Sequence, residues 1–159
     1  EIENFDSLII DRYSIKYIKE ELKKKDLSKV FVTQAGYDEE IDYKIDFLVV
    51  SKDEIDVVEA NRLLNEDFVN WILLTSSNLP ARLLSKDGVI EIAPPDFKTI
   101  NSTGAGDITA AYIGAFGIED VIETTKNACA AGALLAGTST FPSLTKIKEI
   151  SELVEINPR

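Results

Sequence analysis

The 159-residue chain contains no histidine. That absence removes Ser-His-Asp and Cys-His nucleophilic pairs and every histidine-ligated metal centre, so acid–base chemistry falls to carboxylates, lysines or tyrosines. Cysteine is represented once, by Cys129, which can form no internal disulfide and has no second thiol with which to build a zinc site. It reads as a small core residue. Basic residues are outnumbered, 17 against 28 acidic, and the net charge of −11 repels the phosphates of DNA or RNA and anionic lipid surfaces. Neither nucleic acid nor a membrane is expected as a partner. A small anion is still compatible, because a few oriented backbone N–H groups act locally where diffuse charge is screened.

Long hydrophobic runs are also lacking. The longest stretch of small apolar residues, Ala128 to Gly137, falls far short of the roughly 18 apolar residues that a membrane span needs. No charged-then-apolar leader opens the sequence, and the expected location is the cytoplasm. Methionine is missing too, with Glu1 in first place, so the expectation is a fragment, one half of a longer chain. What is present, 159 residues of which 45% are apolar, suffices for a single compact domain over 1–159.

Apolar residues at Ile15, Ile18 and Leu22 form a helical stripe within Ser14 to Lys25, with lysines and glutamates outside. Val30 to Val32, Phe47 to Val50 and Trp71 to Leu74 are short apolar runs that suit strands covered on both faces. Between the last two, Asp53 to Leu64 reads as a helix preceded by Ser51. This strand–helix–strand alternation predicts an α/β fold with a mainly parallel sheet flanked by helices. Ala81 to Leu84 and Val89 to Ile92, joined by Lys86-Asp87-Gly88, add an antiparallel hairpin. Pro94-Pro95 stops its second strand and an extended Phe97 to Ile100 follows. Helices are expected over Ala105 to Phe116, Val121 to about Leu135 and Thr145 to Glu155. The acidic cluster Tyr37-Asp38-Glu39-Glu40 reads as a solvated loop rather than a cation site.

The segment Asn101-Ser102-Thr103-Gly104-Ala105-Gly106-Asp107 stands between an extended stretch and a helix. Gly104 and Gly106 lack β-carbons, so the chain can turn tightly and a phosphoryl group can approach backbone N–H groups. The positive end of the helix dipole points to the same place. An aspartate in that first turn can take the proton of a hydroxyl that attacks a γ-phosphate. The segment is not a Walker A loop, since no Gly-Lys-Ser/Thr follows, nor a dinucleotide fingerprint, which needs glycine where Thr109 stands. A bare Gly-x-Gly with a dipole-compensating aspartate can equally be structural.

Asn101 to Asp107, continued by Ile108, Thr109 and Ala110 to Gly114, resembles the C-terminal signature of the ribokinase-like (PfkB) carbohydrate kinases. The resemblance implies a ribokinase-like fold and a transferase that moves the γ-phosphoryl of ATP to a sugar or nucleoside hydroxyl with Mg2+. It implies Asp107 as the catalytic base and Gly104, Ala105 and Gly106 as the anion hole. Thr75, Ser77, Thr103 and Asn127 would then lie beside the nucleotide. Phe47 to Glu54 is similar to the family's strand and acidic turn, in which the glutamate organises water around the magnesium ion. Here the turn reads Ser51-Lys52-Asp53-Glu54, with serine in place of asparagine, and Ser-x-x-Glu is equally a capping box that needs no metal. Thr75-Ser76-Ser77-Asn78-Leu79-Pro80-Ala81 puts Ser77 and Pro80 at glycine positions of the family pattern. The resemblance covers only the C-terminal half of a usual family member, which implies an N-terminal half or a homodimer as partner. Two alternatives stay open, a catalytically impaired nucleotide-binding relative and an unrelated flavodoxin-like domain in which Gly104 to Asp107 merely turns the chain.

Overall fold

The structure, a computed structural model, describes residues 7–11, 13–23, 30–33, 41–76 and 79–159. Its elements run β1 (Ser7–Ile10), α1 (Ile15–Leu22), β2 (Val30–Thr33), β3 (Ile45–Ser51), α2 (Val57–Asn65), β4 (Val69–Thr75), β5 (Ala81–Ser85), β6 (Gly88–Ala93), α3 (Ala105–Phe116), α4 (Val121–Thr138), α5 (Leu144–Ser151) and β7 (Glu155–Pro158). The seven strands form one sheet in sequence order. Strands β1 to β4 are mutually parallel, and β5, β6 and β7 each join antiparallel to the strand before. The expected α/β architecture, a sheet with a parallel part and an antiparallel hairpin flanked by helices, is the one found, and the sheet as a whole is mixed, with three parallel and three antiparallel pairings.

Side-chain alternation along the central strands divides the core. Phe47, Val49 and Leu73 face the layer that holds Ile113, Ala128 and Ile147 of α3, α4 and α5. Leu48, Val50, Ile72 and Leu74 face the opposite layer with Ile15, Leu63 and Leu64 of α1 and α2. Helices cover both faces, which is why these strands read as continuous apolar runs. Cys129 is part of the first layer, and burial pushes its thiol up to about 12. Among the described residues no helix is long and apolar enough to cross a membrane.

Two sequence expectations need correction. The helix expected from Asp53 begins only at Val57, where Asp56 is the N-cap and its carboxylate accepts the Glu59 N–H at 2.8 Å. Ser51 to Glu54 is instead a turn that closes the end of β3. The helix expected to reach Glu155 ends at Ser151, and Glu155–Pro158 pairs with β6. Pro158 lacks an N–H, which an edge strand tolerates. Phe97 to Ile100 joins no strand. Two elements had no counterpart in the sequence reading, β1 at one edge of the sheet and β7 at the other.

Candidate functional site

The chain reaches α3 through a tightly bonded turn. Ile100 and Asn101 donate their N–H groups to Ala136 O at 2.8 and 3.0 Å, which pins the approach to the last turn of α4. Asn101 Oδ1 then accepts the Thr103 N–H at 3.0 Å, and Ala105 N–H reaches Ser102 O at 3.1 Å. Gly104 sits at φ 82°, ψ −3°, the left-handed region that a side chain makes costly. It is the N-cap of α3, no side chain caps that helix, and the first helical bond runs from Ile108 N–H to Gly104 O at 2.9 Å. Among the described residues, the amides of Gly104 and Gly106 have no protein acceptor. Gly106 and Asp107 are exposed, and so is Thr103. Helix start, open amides and carboxylate therefore occur together on one accessible surface.

The direction of α3 fixes which end of the sheet this is. Ile9 of β1 touches Gly114 in the second half of α3, and Ser7 shares a surface hollow with Gly117 and Glu119 beyond its C-terminus. The helix thus runs against the parallel strands, and its N-terminal turn points to their C-terminal ends. Ligands of open α/β sheets gather at that edge.

Ser51 and Thr75, paired in register, end β3 and β4 at the same edge. Here the side chains are engaged by the protein. Thr75 Oγ1 donates to Val50 O at 3.1 Å, and Thr75 O accepts the Lys52 N–H at 3.0 Å. Glu54 Oε2 accepts the Ser51 N–H at 2.6 Å while Ser51 Oγ accepts the Asp53 N–H at 3.3 Å. The bonds that a Ser-x-x-Glu capping box makes at a helix start here close a strand-end turn. After β1, Asp11 is similarly committed: the amides of Ser14 and Tyr13, in that order, hold its carboxyl below the usual carboxylate range.

Asn127 lies on α4, nine-tenths buried, five residues before Gly132, which meets the first turn of α3. Its Nδ2 donates to Glu123 O at 2.8 Å and Glu123 Oε1 at 2.9 Å, and its Oδ1 is buried with no partner among the described residues. Pro80 is exposed. Ser77 and the Tyr37 to Glu40 cluster lie outside the described residues. The structure thus assembles Thr103 to Asp107 as one unit, sets Thr75 and Glu54 at the neighbouring strand ends, and buries Asn127 in the helical layer.

Mg2+ prefers phosphate oxygens, water and one or two carboxylates. No group of three or more acidic or thiol side chains capable of holding a metal occurs among the described residues. The described side chains therefore offer no ready-made cage for a resident ion. Sequence reasoning missed Thr109 and Gly132, which contact the α3 start from behind. Gly132 is one small residue in an alanine-rich stretch, and nothing local in the sequence tells which residue it meets.

No model of a protein family matches the chain, and no curated protein matches it. Solved structures of sugar kinases do. Arabidopsis thaliana ribokinase complexed with ribose and ATP superimposes with a TM-score of 0.72 at 17% identity, over 92% of this chain and 56% of that one. Escherichia coli phosphofructokinase-2 in complex with potassium gives 0.69 at 13%, over 92% and 56%. An Escherichia coli structure assigned as ribokinase II, in complex with ATP and Mg2+, gives 0.69 at 14%, over 93% and 59%. The fold is ribokinase-like, that of the PfkB and ribokinase sugar kinases. The chain spans 56–65% of the length of the solved structures it matches.

Proposed function

We propose that this chain is the nucleotide-side half of a kinase of the ribokinase-like (PfkB) family, which transfers the γ-phosphoryl of ATP to a hydroxyl of a sugar or nucleoside. MgATP and the acceptor are its substrates. One observation carries the reading: Gly104 starts α3 in a left-handed conformation with no capping side chain, and Asp107 is exposed in the turn that follows. The acceptor hydroxyl gives its proton to the Asp107 carboxylate as its oxygen bonds to the γ-phosphorus. The bond from that phosphorus to the β,γ-bridging oxygen breaks, and ADP leaves. The N–H groups of Gly104 and Gly106, with the positive end of the α3 dipole, stabilise charge on the transferring group, while the Ala105 N–H, given to Ser102 O, holds the turn between them. Thr103 and Thr75 border the nucleotide, with Asn127 behind them in α4. The length of the solved structures that has no counterpart here corresponds to an acceptor-side wall, supplied by an N-terminal half or by a second copy.

Asp107→Asn in the full-length protein tests the assignment of the base. ADP release over a panel of sugars and nucleosides should fall by roughly 10³-fold, within the range of general-base losses, while MgATP binding and melting temperature hold. Near-normal turnover in that variant would refute the assignment.

A second reading, a relative that binds nucleotide with little or no turnover, is favoured by the Thr75 hydroxyl already donated to Val50 O and by Pro80 at a glycine position of the family pattern. Thermal stabilisation by MgATP without ADP release on any acceptor would select it.

A further inference from the structure

We infer that Thr109 and Gly132 are positioning residues that aim the Gly106 amide, a role that rests on reading the α3 start as the γ-phosphate site. Thr109 is buried on the inner face of α3, one turn behind the exposed Gly106 and Asp107. Its Oγ1 donates to Ala105 O at 2.8 Å and lies 3.4 Å from Ala128 O of α4. Ala105 C=O and Gly106 N–H belong to one planar peptide unit and point in opposite directions. Whatever fixes the carbonyl therefore fixes the amide. A hydrogen bond accepted by the carbonyl also polarises the unit and strengthens its N–H as a donor.

Gly132 makes this contact feasible. A β-carbon there would stand 2.7 Å from Thr109 Oγ1 and 3.2 Å from Ala105 O, so any side chain would push Thr109 off the carbonyl or part the two helices. The seat continues along α4. A β-carbon on Gly137 would meet Phe97 Cβ at 2.9 Å, and Ala136 O holds the amides of Ile100 and Asn101.

The same seat settles an electrostatic conflict. The C-terminus of the 18-residue α4 carries the negative end of its dipole to the region where a phosphoryl group would rest. Ala136 O takes two N–H groups, Leu135 O takes the Ser139 N–H at 2.8 Å, and Leu134 O takes Thr138 Oγ1 at 2.7 Å. The terminal carbonyls are thus answered by donors rather than left facing an anion.

Calorimetric titration of the full-length protein with MgADP and with the magnesium complex of the β,γ-imido analogue of ATP tests this. Thr109→Val, which keeps shape and drops the hydroxyl, should bind the imido analogue about tenfold more weakly and MgADP within about twofold, a hydrogen-bond-sized effect confined to the terminal phosphate. Gly132→Ala should do the same, and Thr109→Ser, which keeps the donor, should stay close to wild type. Equal losses for both nucleotides, or unchanged binding in folded Thr109→Val and Gly132→Ala, would overturn the inference while leaving Asp107 and the kinase reading intact. So would failure of Thr109→Val to fold while Thr109→Ser folds, since the hydroxyl would then serve stability. If Gly132→Ala does not fold, the Thr109 pair carries the test. Wild-type protein that binds neither nucleotide would defeat the kinase reading itself, and this inference with it.

Discussion

Two structures share the C-terminal edge of the parallel strands, and they are built on opposite plans. At the start of α3, side chains are withdrawn: Gly104 caps the helix without one, and the amides of Gly104 and Gly106 have no protein acceptor among the described residues. At the ends of β3 and β4, side chains are used up locally, Thr75 on Val50 O and Glu54 on the Ser51 N–H. An unanswered row of donors at a helix dipole has a free-energy reason to attract an anion, whereas a turn whose polar groups are satisfied has much less. On the proposed function, the chemistry belongs to the first structure and the second gives shape.

Breaking the first structure should have the larger effect. Gly104→Ala keeps van der Waals room, since the nearest atom to its β-carbon, Leu135 Cδ2, is 3.5 Å away. The penalty is conformational: at φ 82° an L-residue costs about 1–2 kcal/mol. Thermal melts should show a loss of a few degrees, and ADP release should fall by about 10²-fold as the amides turn from their common target. Unchanged turnover would remove the reason for distinguishing this segment from an ordinary helix start.

The second structure should tolerate its own substitution. Glu54→Gln keeps an acceptor for the Ser51 N–H and loses only the charge, so stability should drop by less than about 1 kcal/mol. The Mg2+ concentration for half-maximal ADP release should move less than about twofold, because Mg2+ is carried mainly by phosphate and water. A large rise in that concentration would reverse the comparison and return Glu54 to the metal.

How much of this was legible in the sequence follows from how local each signal is. Gly104, Gly106 and Asp107 are consecutive with the helix they start, and the backbone demands of that turn act on neighbours in the chain, so composition and order revealed them. Lys86-Asp87-Gly88 was readable for the same reason, and Gly88 does take a positive φ of 145°. Strands β3 and β4 announced themselves because both their faces are covered. In contrast, β1 is four residues long, too short for any periodicity, and β7 carries a charge and a proline that argue against a strand until β6 supplies its partner. Ser-x-x-Glu, read as either a magnesium-organising turn or a helix capping box, caps no helix because α2 starts only at Val57, and the same kind of reciprocal bond closes a strand-end turn instead. Thr109 and Gly132 were illegible because their contact joins residues 23 apart on two helices.

On the proposed function, the Gly104 and Gly106 amides meet the terminal phosphate of ATP. Amide nitrogen–proton spectra of the full-length protein, with glycine selectively labelled, test it most directly. Both resonances should shift on saturation with the magnesium complex of the β,γ-imido analogue and much less with MgADP. Nucleotide binding that leaves the two resonances unmoved would contradict the account.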